Sequence, residues 1–210
     1  MKFLWLSTYF IVLIWSAIQP ADYLTWFLEV IPALIGLAVI SITYKKFKLT
    51  TISYVLILVH CIILMVGGHY TYAMVPLFDW VKEYFELERN NYDKVGHFAQ
   101  GFIPAIIARE IFIRKNIINH AKWLSFLTVC FCLAFSAFYE LIEWWVALST
   151  GESAEAFLGT QGYVWDTQSD MALALLGAIC ALLFLSRTHD KQLKKLKLNQ
   201  EKNCKNREKQ

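Results

Sequence analysis

The sequence predicts an all-α protein, a polytopic membrane bundle of six transmembrane helices with both termini in the cytoplasm. Three observations predict it. Of 210 residues, 57% are hydrophobic, 16% aromatic and only 18% charged, and the mean hydropathy is +0.43, which leaves too little polar surface to coat a soluble fold. The apolar residues fall into six runs close to the roughly 20 needed to cross about 30 Å of hydrocarbon. The lysines and arginines then segregate onto alternate connections.

Taken in order, the first helix is expected at about 3–18, ending at Gln19-Pro20, with no small-x-small cleavage site after it. The second, at about 24–43, stops at Lys45, Lys46 and Lys48. The third, at about 51–78, fades through Gly67, Gly68 and His69 into an aromatic stretch. The fourth, at about 96–113, is the least apolar, carrying His97, Gln100, Arg109 and Glu110, so it must turn a polar face to protein. The fifth and sixth, at about 123–147 and 164–185, close a single domain over 1–186. A basic cytoplasmic tail, 187–210, follows.

With both ends cytoplasmic, the inner segments hold Lys2, the Lys45–Lys48 cluster, Arg114, Lys115, Lys122 and the basic tail; the outer connections hold only Lys82, Arg89 and Lys94. The five cysteines show neither extracellular pairing nor a C-x-x-C metal clasp and read as small hydrophobes.

This orientation gathers the unusual residues at one depth. Asp93, His97 and Gln100 share a face at the outer end of the fourth helix; Glu140 and Glu143 share one at the outgoing end of the fifth; Asp166 and Asp170 share one at the start of the sixth, with Ala174 and Gly177 continuing the stripe as small residues that admit a close neighbour. Capping explains acids at helix starts. It does not explain Glu140 and Glu143. Charges in lipid cost on the order of 2.5–3.5 kcal/mol each at mid-bilayer, so these faces should converge on a cation, shared protons or a wet cleft.

The runs Gly67–Tyr72, Arg89–Phe102, Arg109-Glu110, Tyr139–Trp145, Phe157–Gly162 and Trp165–Met171 together closely resemble the YjdF-like family of bacterial inner-membrane proteins, over about Gly67 to Leu185. The resemblance implies a multi-pass protein of the inner (cytoplasmic) membrane and supplies no activity. In layout alone, Asp93-Lys94-x-x-His97 followed by a later Glu and an Asp-bearing helix is similar to VanZ-like membrane proteins, without their Glu-Gln and Arg-rich features between the blocks.

Three functional classes fit these residues. In the first, a metal-dependent hydrolase or transferase acts on a lipid or cell-envelope substrate, with zinc, manganese or magnesium held by Asp93, His97, Glu140, Glu143, Asp166 and Asp170. Glu140, Glu143 and His97 then carry catalysis, and Gln100, Gln161 and His69 position substrate. The second is proton-coupled transport. The third is a non-catalytic scaffold or sensor. Membrane lipids are the expected partners and nucleic acid is not; the oligomeric state is left open. The connection from Ser149 to Tyr163 is expected to be an ordered lid, with Phe157 and Leu158 folded over the site.

Overall fold

In a computed structural model, residues 2–150 and 160–207 are described, and they form seven helices and no strand. These are α1 (Lys2–Ala17), α2 (Tyr23–Thr43), α3 (Thr51–His69), α4 (Pro76–Tyr84), α5 (Tyr92–Arg114), α6 (Ala121–Thr150) and α7 (Asp166–Arg207). Four of them, α2, α3, α6 and α7, are long and apolar enough to cross a membrane. The outward faces suit lipid and not water: Phe3, Ile42, Leu183 and Phe184 are all strongly exposed.

Two of the three apolar cores among the described residues join the long helices. One joins α1, α2 and α3 through Tyr9, Val30, Ala33, Ile57, Leu64 and Met65. The other joins α5, α6 and α7 through Ala105, Ile106, Cys132, Ala178 and Ala181. The two units meet along α3 and α5.

The α5–α7 contact is the most extensive among the described helices, and glycine lets it close. A Cβ added at Gly101 would overlap the carbonyl of Ala174, and one at Gly177 would overlap the carbonyl of Phe98. The backbones therefore touch directly, as the small-residue stripe on the sixth predicted helix implied.

The expected third helix, 51–78, is in fact two. α3 ends at His69, the chain turns through Thr71 (φ 50) and Tyr72 (φ 56), and α4 restarts with Pro76 in its first turn. Residues in the left-handed region cannot continue a helix, and apolar composition alone did not reveal the break. α4 buries none of its residues.

The boundary expected at 186/187 falls inside α7, which runs on without interruption. The reason is a second polar cluster at this end. Fully buried Glu110 accepts hydrogen bonds from Thr50 N (3.0 Å), Thr50 Oγ1 (2.8 Å), Ser53 Oγ (2.7 Å) and Arg114 Nη1 (2.7 Å). His189, also fully buried, lies 3.0 Å by Nδ1 from Arg109 Nη1 and 3.3 Å by Nε2 from Glu110. A guanidinium only donates, so Nδ1 accepts and the ring proton sits on Nε2, directed at Glu110. Gln192 Oε1 accepts from Ile52 N at 3.0 Å. The start of the tail is thus clamped to α3 and α5, and Arg109 and Glu110 serve packing at this end of the bundle.

Candidate functional site

At the opposite end of α5, helical spacing places Asp93, His97 and Gln100 on one face, all buried. His97 Nε2 lies 3.2 Å from Asp93 Oδ1, and Nδ1 lies 3.1 Å from Gln100 Oε1. The neighbouring helices supply the rest. Asp170 of α7 approaches Nε2 to 3.9 Å with Oδ2, and Glu140 of α6 approaches Nδ1 to 3.7 Å with Oε1. Asp93, His97 and Asp170 each offer one ligand atom, and the three atoms lie within 4.8 Å of one another. Glu143 lines the same cavity as Asp93 and His97.

The direction of each hydrogen bond matters here. A neutral imidazole has one N–H. With that hydrogen on Nδ1, donated to the Gln100 amide oxygen, the Nε2 lone pair confronts two carboxylates. Such an arrangement is repulsive unless a cation or a second proton stands between them. Asp170 Oδ1 and Glu140 Oε1 are buried with no hydrogen-bond partner among the described residues, which adds to the negative potential at that point.

The remaining acids are partly compensated from the loop before α5. Arg89 pairs with Asp166 at the first residue of α7, and reaches Asp93 at 3.4 Å. Asn90 fixes that loop: its Oδ1 accepts from Tyr92 N (3.1 Å) while its Nδ2 donates to Val75 O (3.1 Å) and Asp79 Oδ1 (2.8 Å). Gln161 clasps Asn90 from both sides, donating to its carbonyl at 2.9 Å and accepting from its amide at 3.0 Å. Gln161 therefore positions the Arg89 loop.

His69 is not brought to this cluster. It packs on Trp15, with ring centroids 4.6 Å apart, and its Nδ1 lies 3.0 Å from Ser16 O, so its contacts tie α3 to α1. Phe157 and Leu158, the expected lid, lie outside the described residues.

Three residues join the site that the sequence did not assign to it. Glu29 of α2 is buried and accepts from the Tyr139 hydroxyl at 3.4 Å. Gly68 admits it, because a Cβ there would meet Glu29 Cβ at 3.1 Å. Tyr72 is seated between two more glycines: a Cβ at Gly67 would overlap its ring, and one at Gly96 would come within 3.0 Å of it. Glu29, Tyr72 and Tyr139 all line the cavity of about 1040 Å³ that opens beside Asp93 and His97. The legible signal was the glycine pattern, which demanded a bulky partner.

Comparison with known proteins agrees with this picture of a membrane chain. The Inner membrane protein YjdF of Escherichia coli (strain K12) is 50% identical over 188 residues, covering 90% of each chain. Its location matches the inner-membrane placement expected from the sequence. No solved structure matches. The family model described as Predicted membrane protein (DUF2238) matches residues 1–191, and the chain belongs to that family.

Proposed function

We propose that this chain is a metal-dependent hydrolase or transferase of the bacterial inner membrane, acting on a lipid or cell-envelope substrate at the outer face. The observation that carries the reading is His97 Nε2 set between Asp93 and Asp170, with ligand atoms inside 4.8 Å. One His and two carboxylates are a donor set for zinc, manganese or magnesium. Asp93, His97 and Asp170 hold the cation. Gln100 orients the imidazole through Nδ1, the usual outer-shell arrangement. Glu140 stands 3.7 Å from Nδ1, on the Gln100 side of the ring, and would steady that edge of the imidazole.

Glu143 is the general base. A divalent cation held there would acidify a water or acceptor hydroxyl and polarise the substrate's phosphoryl or acyl oxygen, and Glu143 would take the proton of that nucleophile and return it to the leaving oxygen. Asp166, held by Arg89, and Gln161 position the loop that borders the site.

The topology belongs to the same proposal. α1, α2, α3, α5, α6 and α7 cross the membrane, both termini face the cytoplasm, and α4 lies on the outer interface with its exposed Trp80 and Tyr84. Support comes from the positive-inside distribution and from the polar face of α5, which is turned to α6 and α7.

Elemental analysis of purified protein tests the centre. One divalent ion per chain is expected, lost in His97→Ala and Asp170→Asn, with Glu143→Gln retaining metal while losing turnover of lipid-linked phosphates or esters. Protein that holds no divalent ion after equilibration with all three metals would sink the proposal.

A further inference from the structure

The cavity beside the cluster is far longer than a metal site needs. It begins at Glu29, Asp93, His97 and Glu143 and ends between Lys46 and Lys115. Between those ends its lining is almost wholly apolar: Ile35, Gly36 and Val39 from α2, Ile107 and Ile111 from α5, and Phe138 from α6. On α2 alone, Glu29 to Thr43 covers about 21 Å at roughly 1.5 Å per residue. One leaflet of a roughly 30 Å core accounts for about 15 Å. The channel therefore outruns a leaflet.

Its walls also part. α3 and α5 form the floor, while α2 and α6 stand opposite each other and barely meet. At the cluster end they are bridged by Tyr139 and Glu29, and just beyond lies a second cavity of about 340 Å³ between Leu24 and Leu28 of α2 and Trp145 and Val146 of α6. Leu28 and Ile142 line both cavities. The side of the groove is therefore open between α2 and α6. Midway along, a Cβ at Gly36 would meet nothing within 4 Å, so the slot has width as well as length.

We propose that this groove holds one extended hydrocarbon chain of a membrane lipid, which enters between α2 and α6 and lays its polar end against the Asp93–His97–Glu143 cluster. The match is one of polarity: an amphiphile's single polar end meets the groove's acidic and His-bearing end, its chain meets a mostly apolar wall with His60 and Cys61 of α3 set in it, and Lys46 and Lys115 face the phosphate layer of the opposite leaflet. The assignment rests on the metal-centre reading only for which end of the lipid is held at the cluster. An acyl chain and a polyprenyl chain share this chemistry.

The test uses the full chain in nanodiscs of bacterial polar lipid, with phosphatidylethanolamine bearing a diazirine in one palmitoyl chain as the probe. After illumination, label should concentrate on groove peptides of α2 and α5 and be sparse at Leu183 and Phe184, which are exposed on the outside of α7. Gly36→Trp should cut groove labelling by about tenfold while leaving metal content unchanged, with Gly36→Ala as the matched control. Unlabelled phosphatidylethanolamine and undecaprenyl phosphate compete in separate arms, and the stronger competitor identifies the source of the chain. Label spread evenly between the groove and the outside of α7, labelling indifferent to Gly36→Trp, or displacement by neither lipid overturns the proposal. A chain that binds no metal yet labels in the groove removes the metal centre and leaves the groove standing.

Discussion

Arg89 and Asp166, 77 residues apart in sequence, form a buried ion pair that joins the entry of α5 to the start of α7. The same guanidinium reaches Asp93 at 3.4 Å. It is the fixed positive charge that faces these two acids directly, so Arg89→Ala should destabilise the protein by about 3–5 kcal/mol by leaving buried carboxylates uncompensated. Thermal unfolding in detergent reads this. Asp166→Asn placed on the Arg89→Ala background should recover much of the loss; failure to recover would show that Arg89 acts through other contacts.

Gln100 should matter to metal affinity without touching metal. Gln100→Leu removes the acceptor that holds the His97 Nδ1 hydrogen at 3.1 Å, so the ring is free to turn or to adopt the other tautomer. Affinity is expected to fall about 10–100-fold, the usual range for loss of an outer-shell partner. Competition titration against a chromophoric chelator measures it, with Gln100→Glu, which keeps the acceptor, as the rescuing variant. Equal affinity in wild type and Gln100→Leu would remove Gln100 from this role.

The same substitution should have opposite effects at two glycines. Gly101→Ala drives a methyl into the Ala174 carbonyl and should cost about 1–3 kcal/mol through overpacking. Gly36→Ala meets open space and should add roughly 0.5–1 kcal/mol by relieving the entropic cost of a helical glycine. Paired unfolding curves settle both signs. Gly101→Ala behaving like Gly36→Ala would mean that α5 and α7 can separate without penalty.

Topology is tested independently of the site. Reporter fusions after Lys48, Arg114 and Lys197 should read cytoplasmic, and fusions within 81–89 should read outside. Two reversed readings would undo the six-span arrangement and with it the outer location of the cluster.

The sequence displayed the helices because apolar runs and basic clusters are local signals. It also displayed the residues that cluster around His97. Asp93 with His97, and Asp166 with Asp170, are four apart, and that spacing can be read without any tertiary information. Glu140 and Glu143 could be matched to them only through topology, which set all three helix ends at one depth. What stayed hidden was lateral. Arg89 looked like a charge in an outer loop because nothing in its neighbourhood announces Asp166. The place of Glu29 beside Tyr139 follows from α2 packing on α3 at Gly68. His69 is turned toward Ser16 and Trp15, which its sequence neighbours do not announce. Depth is a one-dimensional property, and azimuth around the bundle comes from packing.

The unbroken course of α7 has a mechanical consequence. Asp166 and Asp170 stand in its first turns, and His189 and Gln192 are gripped by α5 and α3 at the far end. About 28 Å of continuous helix separates Asp170 from His189. A helix of that length is stiff along its axis, and its glycine contacts with α5 leave no slack for bending. The two polar clusters are therefore the two ends of one strut: whatever shifts the His189 end along its axis shifts the carboxylates that face His97 by the same amount.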